Sequence, residues 1–284
     1  MAILLGPYAA FLTTASVLVV QALFFADGGM LALGCNIFNM GFIPAFVVYP
    51  LIFKQIVGTH RNQTRLVIAT MLSAIVGLQL GPFAVVLETL FSGISSLPFP
   101  TFVLLMQPIH LAIGIVEGVV TISVISFVYK TRPDILQGAL GGRLIGNKPI
   151  RGMVLTLLVV ALFTGGVLSL FASKNPDGLE WAVSKVTGNE ELERPKQGLY
   201  RALAALQETT AFLPDYSFKK PVEPIKEAPA PAVELKKEKA GPAGDQKNEG
   251  STLGTSVSGV LGTLMTLGLV FLCGFVLKRG NEAV

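Results

Sequence analysis

The sequence predicts an all-α, polytopic integral membrane helical bundle of about six spans, with a largely flexible extracytoplasmic segment. Three observations carry that reading. Of 284 residues, 51% are hydrophobic and only 14% charged, a balance that excludes an ordinary soluble domain. Mean hydropathy is +0.63, and the apolar residues gather in runs that reach the length of about 20 helical residues needed to cross a bilayer. Charge is also sorted along the chain. Segment 174–252 is balanced, with twelve Lys/Arg against thirteen Asp/Glu. The other ten basic residues form three clusters: Lys54, Arg61, Arg65; then Lys130, Arg132, Arg143, Lys148, Arg151; then Lys278, Arg279. Such clusters beside apolar spans mark a cytoplasmic face. The net charge of +4 therefore reports topology, with lipid as the surrounding partner and no nucleic acid expected.

The elements follow in order. Residues 1–5, MAILL, are apolar but too short to span, and Gly6-Pro7 reads as a turn. Tyr8 to Ala26 is the first span and Phe38 to Phe53 the second, bent by Pro44 and Pro50. Leu66 to about Phe91 is the third, with Gly81-Pro82 as a kink and Glu88 near its far end, where it is expected to be hydrated. A loop, 92–107, with room for a short interfacial helix, leads to the fourth span, Pro108 to Tyr129. The glycine-rich basic linker 130–151 separates two modules, 1–135 and 145–284. Met153 to Ser173 and Leu253 to Leu277 are the last two spans. Placing every basic cluster inside puts 174–252 outside and both ends of this chain in the cytoplasm, at the cell membrane.

Within 174–252, Asn175-Pro176-Asp177 has the form of a helix N-cap, a proline at the first position and an acid in the first turn. Leu179, Ala182, Val183 and Val186 then share one helical face. A second helical patch, 197–208, precedes Leu213-Pro214-Asp215-Tyr216, and 219–250 reads as a polar, flexible tether. Small residues at four-residue spacing, Ala161, Gly165, Ser169, Ser173 and Gly254, Ser258, Gly262, suit close packing of the last two spans.

The stretch Gln21 to Gly41 organises the candidate site. It interrupts apolar sequence with Asp27, Gly28, Gly29, Gly34, Asn36 and Asn39. Polar groups so placed are costly unless they are buried in protein or face a water-filled cavity. His110 and Glu117 on the fourth span are seven residues apart, about two helical turns, and point in similar directions. His60 lies in a basic loop, where solvation accounts for it. Cys35 and Cys273 show no pairing or CxxC signal and read as packing residues. Neither a phosphate-binding loop nor an HExxH motif is present, so catalysis and a permanently bound cofactor are not expected.

Three segments, ILLGPYAAFLTT, QALFFADGGMLALGCNIFNMG and PIHLAIGIVEG, resemble the nickel/cobalt substrate-capture component (CbiM/NikM type) of energy-coupling-factor transporters. KNPDGLEWAVSKV and LPDYSF resemble the PDGLE-type companion subunit, here fused behind it. The resemblance implies a binding and translocation component for Ni2+ or Co2+. It also implies partners, a transmembrane coupling subunit and paired ATPase subunits, that hydrolyse ATP in its place. Family members bind metal through the free amino terminus, a histidine at the second position and a histidine in a glycine-rich stretch ahead of the LLGP segment. This chain has Ala2 and no histidine before His60, so none of those ligands carries over. A shortened form of a longer capture component is therefore expected. Asp27, Asn36, Asn39, His110 and Glu117 remain as cavity or supporting residues. The rival expectation is an accessory subunit that does not itself bind metal.

Overall fold

The computed structural model describes residues 1–58, 62–93, 97–141, 151–171, 173, 175–188, 198–218 and 250–281. Among them there are helices and turns but no strand. Six stretches are long and apolar enough to cross a membrane. These are α1 (Ala2–Phe24), α2 (Leu33–Val57), α3 (Gln63–Ser92), α4 (Phe99–Thr131), α6 (Arg151–Gly166, extended by a 3₁₀ turn at Leu168–Phe171) and α9 (Gly250–Asn281). Three short helices lie between them: α5 (Pro133–Leu140), α7 (Gly178–Thr187) and α8 (Leu199–Thr210). His60 and most of the tether expected at 219–250 lie outside the described residues.

The turn at Gly6-Pro7 is present and sharper than its sequence alone conveys. Gly6 leaves helical geometry at φ +78°, and Met1 Sδ lies 3.9 Å from Thr14 Oγ1. Thirteen residues of straight helix would separate those two by about 20 Å. The MAILL stretch therefore doubles back beside the helix that Pro7 opens. The second span starts earlier than expected, at Leu33, and its middle, Phe38–Phe53, is wound as a π-helix containing Pro44 and Pro50.

The loop expected at 92–107 is a correction: α4 is already helical from Phe99. Pro98 caps that helix and Pro100 lies in its first turn, where a missing N–H costs nothing. Those prolines signal a helix start, not a loop. Phe102 and Met106, one turn apart, are then buried against Val86 of α3. Further along, Gln79 Nε2 donates to the Gln107 carbonyl (3.1 Å) and Gln107 Nε2 to the Gln79 carbonyl (3.4 Å). This reciprocal pair lets two carboxamides sit between apolar helices without an unpaired donor.

The spans alternate in direction, and each end of the bundle has its own core. At one end Ile3, Tyr49, Phe53, Val57, Leu66, Ala69, Ile125 and Leu136 form a single apolar cluster. They come from the start of α1, the finish of α2, the start of α3, the finish of α4, and α5. The adjacent Arg132 is held by a two-pronged contact with Asp134, Nε to Oδ1 at 3.1 Å and Nη2 to Oδ2 at 3.0 Å, which keeps its guanidinium pKa above the ordinary value.

At the opposite end the later part of the chain folds over the earlier part. There α9 packs beside α1, placing Leu261, Met265 and Leu269 around Val20 and Phe25. Helices α6 and α9 cross at Gly165 and Gly259, so closely that a Cβ on Gly259 would fall 2.2 Å from the Gly165 carbonyl oxygen. Close packing along the Gly165 stripe is therefore met, although its contact on α9 is Gly259 and not the expected Gly254-Ser258-Gly262 line. Many large apolar side chains on the outer faces remain exposed, among them Phe271, Val119 and Leu155, as helices bounded by lipid require.

Candidate functional site

Helix α1 ends at Phe24, and Ala26 and Gly28 then turn the chain with φ of +54° and +71°. This leaves the last carbonyls of α1 without helical partners. The segment 199–216 supplies them. Gln207 Nε2 donates to the carbonyls of Ala22 (3.0 Å) and Gly28 (2.7 Å), and Thr210 Oγ1 donates to that of Leu23 (2.7 Å). The Asp215 amide donates to the Phe25 carbonyl at 2.8 Å. Phe25, 2% exposed, stacks on Tyr216 with ring centroids 5.3 Å apart.

Asp27 is exposed and serves as the acceptor in this clasp. Its carboxylate takes hydrogen bonds from Tyr216 Oη and from Gln21 Nε2, the latter at 3.2 Å, while Gln21 Nε2 also reaches Tyr216 Oη at 3.1 Å. Burial, reinforced by the Asp27 carboxylate, pushes the Tyr216 phenol above its ordinary pKa, so it stays a donor. Asp215 and Tyr216 both adopt positive φ, +49° and +57°. That conformation is unfavourable for a tyrosine, and it is held here by the stacking and the hydrogen bonds. Nothing in the sequence signalled these contacts, because Gln21 and Tyr216 are 195 positions apart.

Asn36 is half-buried beside Gly28, and Asn39 is 3% exposed. Asn39 Nδ2 donates to Glu88 Oε2 at 2.9 Å, whereas Asn39 Oδ1 is buried with no partner. Glu88, expected to be hydrated, is instead half-buried and anchors Asn39. The sequence signal for it was present, an acid inside an apolar span.

His110 and Glu117 are not brought together. Two turns of helix give them a common direction but also about 10 Å of rise. Glu117 is exposed on α4. His110 Nδ1 contacts the Met106 carbonyl at 2.8 Å, and its ring lies beneath Gly178, where a Cβ would come within 2.8 Å of Cε1. Ala182 and Val183 of α7 complete this contact by burying themselves against Val86, Phe102 and Met106. Leu179, expected on the same face, is exposed.

Helix α7 opens on Asp177, not Asn175. The Asp177 carboxylate accepts from the Leu179 and Glu180 amides, and Glu180 Oε2 accepts from the Asp177 amide, a reciprocal cap. Asn175-Pro176 thus precede the helix. Among the described residues no three His, Cys, Asp or Glu side chains converge to hold a metal ion.

Six membrane-length helices, with polar side chains gathered at one end under a second folded segment, define a multi-pass helical membrane protein. Residues 1–135 match the CbiM family, described as the cobalt uptake substrate-specific transmembrane region, and residues 151–279 match the PDGLE domain. A protein of Archaeoglobus fulgidus, provisionally named fused nickel transport protein NikMN, is 28% identical over 98% of this chain and 74% of its own length. Fused nickel transport protein NikMN of Rhodobacter capsulatus is 29% identical over 76% of this chain and 67% of its own. Cobalt transport protein CbiM of Sorangium cellulosum is 32% identical over 48% of this chain and 60% of its own. No solved structure matches.

Proposed function

We propose that this chain is the substrate-specific membrane component of an ATP-driven energy-coupling-factor importer of nickel or cobalt ions, with metal as cargo and no enzymatic step of its own. The observation that carries this reading is the order of the two regions in one polypeptide, a stretch matching the CbiM family followed by one matching the PDGLE domain, together with similarity to proteins named as fused nickel transport proteins. Two modules, 1–135 and 145–284, a coupling subunit and paired ATPases form the working assembly in this proposal. The end of the bundle closed by 178–188 and 198–216 faces outward, and the basic clusters, with both ends of this chain, face the cytoplasm.

Reconstitution tests it. Vesicles holding this chain with a coupling subunit and ATPases should accumulate nickel or cobalt when ATP is supplied to the ATPase side. Vesicles holding this chain alone should not. Rapid ATP-driven uptake by the chain alone, or none by the full assembly, would overturn the reading. Orientation has its own readout: Phe218→Cys, placed in a chain lacking Cys35 and Cys273, should react with a membrane-impermeant maleimide in intact spheroplasts. The accessory-subunit alternative predicts transport support without equilibrium metal binding by the purified chain.

A further inference from the structure

The winding of α2 departs furthest from ordinary helix geometry. Helices closed by hydrogen bonds five residues back are rare and mostly limited to a single turn, yet Phe38–Phe53, sixteen residues, are wound that way. Pro44 and Pro50 lie within the stretch and account for it. In α-winding each proline ring would press on the carbonyl four residues back, that of Met40 and that of Phe46. Closure five residues back moves those carbonyls away from the rings. The π-winding carries a penalty of its own. Asn39 Oδ1 and Tyr49 Oη, both on residues 3% exposed, have no hydrogen-bond partner. A buried polar atom without a partner is destabilising. Neither winding therefore satisfies the whole stretch: the prolines oppose the α form, and two buried polar groups oppose the π form.

We propose that residues 38–53 form a rewinding element, π-wound in this state and exchanging with an α-wound one, which moves the Leu33 end of α2 against the turn that the 199–216 segment holds. The Val57 end is anchored, because Phe53 and Val57 are buried in one cluster with Leu66, Ala69 and Ile125. The Leu33 end is held more lightly: Cys35, Phe38, Met40 and Phe42 are exposed. In α-winding each residue adds about 100° of turn and about 1.5 Å of rise. A π-helix adds less of both, so the exchange turns and extends the free end relative to the anchored one. That end carries Asn36, whose Nδ2 lies so near Gly28 that a Cβ there would come within 3.1 Å of it. The Gly28 carbonyl is one of the two that Gln207 holds, the other being that of Ala22. Rewinding therefore changes the pressure on that turn, and with it the hold of 199–216 on the bundle. Asn39 Oδ1 and Tyr49 Oη meet new neighbours in the same movement. The use of this exchange in transport rests on the proposed function; the exchange itself does not.

The test uses the full chain in lipid nanodiscs, with Cys35→Ser and Cys273→Ser as background and nitroxide labels read by pulsed electron resonance. Labels on Met40→Cys and Phe91→Cys, both at exposed positions, report α2 against α3. Labels on Phe91→Cys and Val119→Cys, the latter exposed on α4, serve as a fixed reference. The first pair should give two distances, the one matching this structure being the π-wound state, and the reference pair should give one. Pro44→Ala with Pro50→Ala should move the ratio roughly tenfold or more toward the α-wound distance. Tyr49→Phe, which removes an unpaired hydroxyl, should move it about fivefold or more the other way. Because Tyr49→Phe loses only that hydroxyl, it decides the matter even where the proline pair fails to fold. A ratio that neither variant moves, shifts of both in the same direction, or a reference pair that moves with them overturns the proposal. In the complete transporter, the proline pair should slow metal uptake. Unchanged uptake beside a shifted ratio would remove the winding from the transport cycle. Two windings with no uptake by the unsubstituted assembly would fail the transport reading alone.

Discussion

The two ends of the bundle are closed by different means. One is sealed by apolar side chains from the first half of the chain alone: Ile3, Tyr49, Phe53, Val57, Leu66, Ala69, Ile125 and Leu136. The other is closed by hydrogen bonds and aromatic rings that reach across more than 180 residues of sequence, from Gln207, Thr210 and Tyr216 to the finish of α1. Apolar packing is tolerant of exchange, whereas a carbonyl buried without its donor is penalised individually. The sealed end is thus built for permanence. The clasped end is built for a definite arrangement that a few substitutions can undo.

Substitutions should separate the two ends, and the largest effect falls on Phe25. Its ring is 2% exposed and touches Phe212, Tyr216 and the α9 face. Phe25→Ala should cost about 3–5 kcal/mol, the range for emptying a buried aromatic site, seen as an early thermal transition and rapid proteolysis within 199–218. A comparable loss should follow Phe53→Ala at the sealed end, without the proteolysis. If both variants release the 199–218 segment, the two ends are one cooperative unit.

Gly178→Leu comes next. Its side chain would enter the volume of the His110 imidazole, with an expected cost of about 1–3 kcal/mol for overpacking. Combining it with His110→Ala should restore a substantial part of the loss in a double-mutant cycle. Additive losses would mean that α7 does not depend on His110.

Tyr216→Phe removes one hydroxyl and should cost about 1 kcal/mol, since Asp27 is exposed. The pH dependence has a definite sign. The folded state raises the Tyr216 pKa, so the contribution is complete below the ordinary tyrosine value of about 10 and is lost as pH rises through the higher folded value. Tyr216 ionisation should therefore contribute nothing between about pH 6 and about pH 9. A contribution from it that falls steadily across that window would contradict the raised value. The smallest effect belongs to Arg132→Gln at the sealed end, where a solvated ion pair with Asp134 should give no measurable change in unfolding temperature.

The spans were legible because lipid imposes a crude requirement, length and apolarity, that composition meets directly. Boundaries were less so. Pro98 and Pro100 read equally as loop residues or as a helix start, and the burial of Phe102 against Val86 decides between them. At the site, Asp27 and Asn39 stand out in apolar sequence, and both are engaged at the clasped end. Their partners Tyr216 and Glu88 could not be named in advance, because hydrogen bonding between distant segments leaves no periodic trace. His110 and Glu117 show the converse, since shared helical phase says nothing of the rise that separates them.

Joining the two regions in one polypeptide changes the statistics of their meeting. Were 199–218 on a separate molecule, its few contacts with the finish of α1 would have to offset the lost freedom of association at whatever density the membrane offers. On a common chain the segment instead meets α1 at an effective concentration set by the connecting sequence. Individually modest bonds then hold the clasp at any expression level. Its occupancy becomes a fixed property of each molecule, insensitive to dilution and to competition from free copies of the companion module.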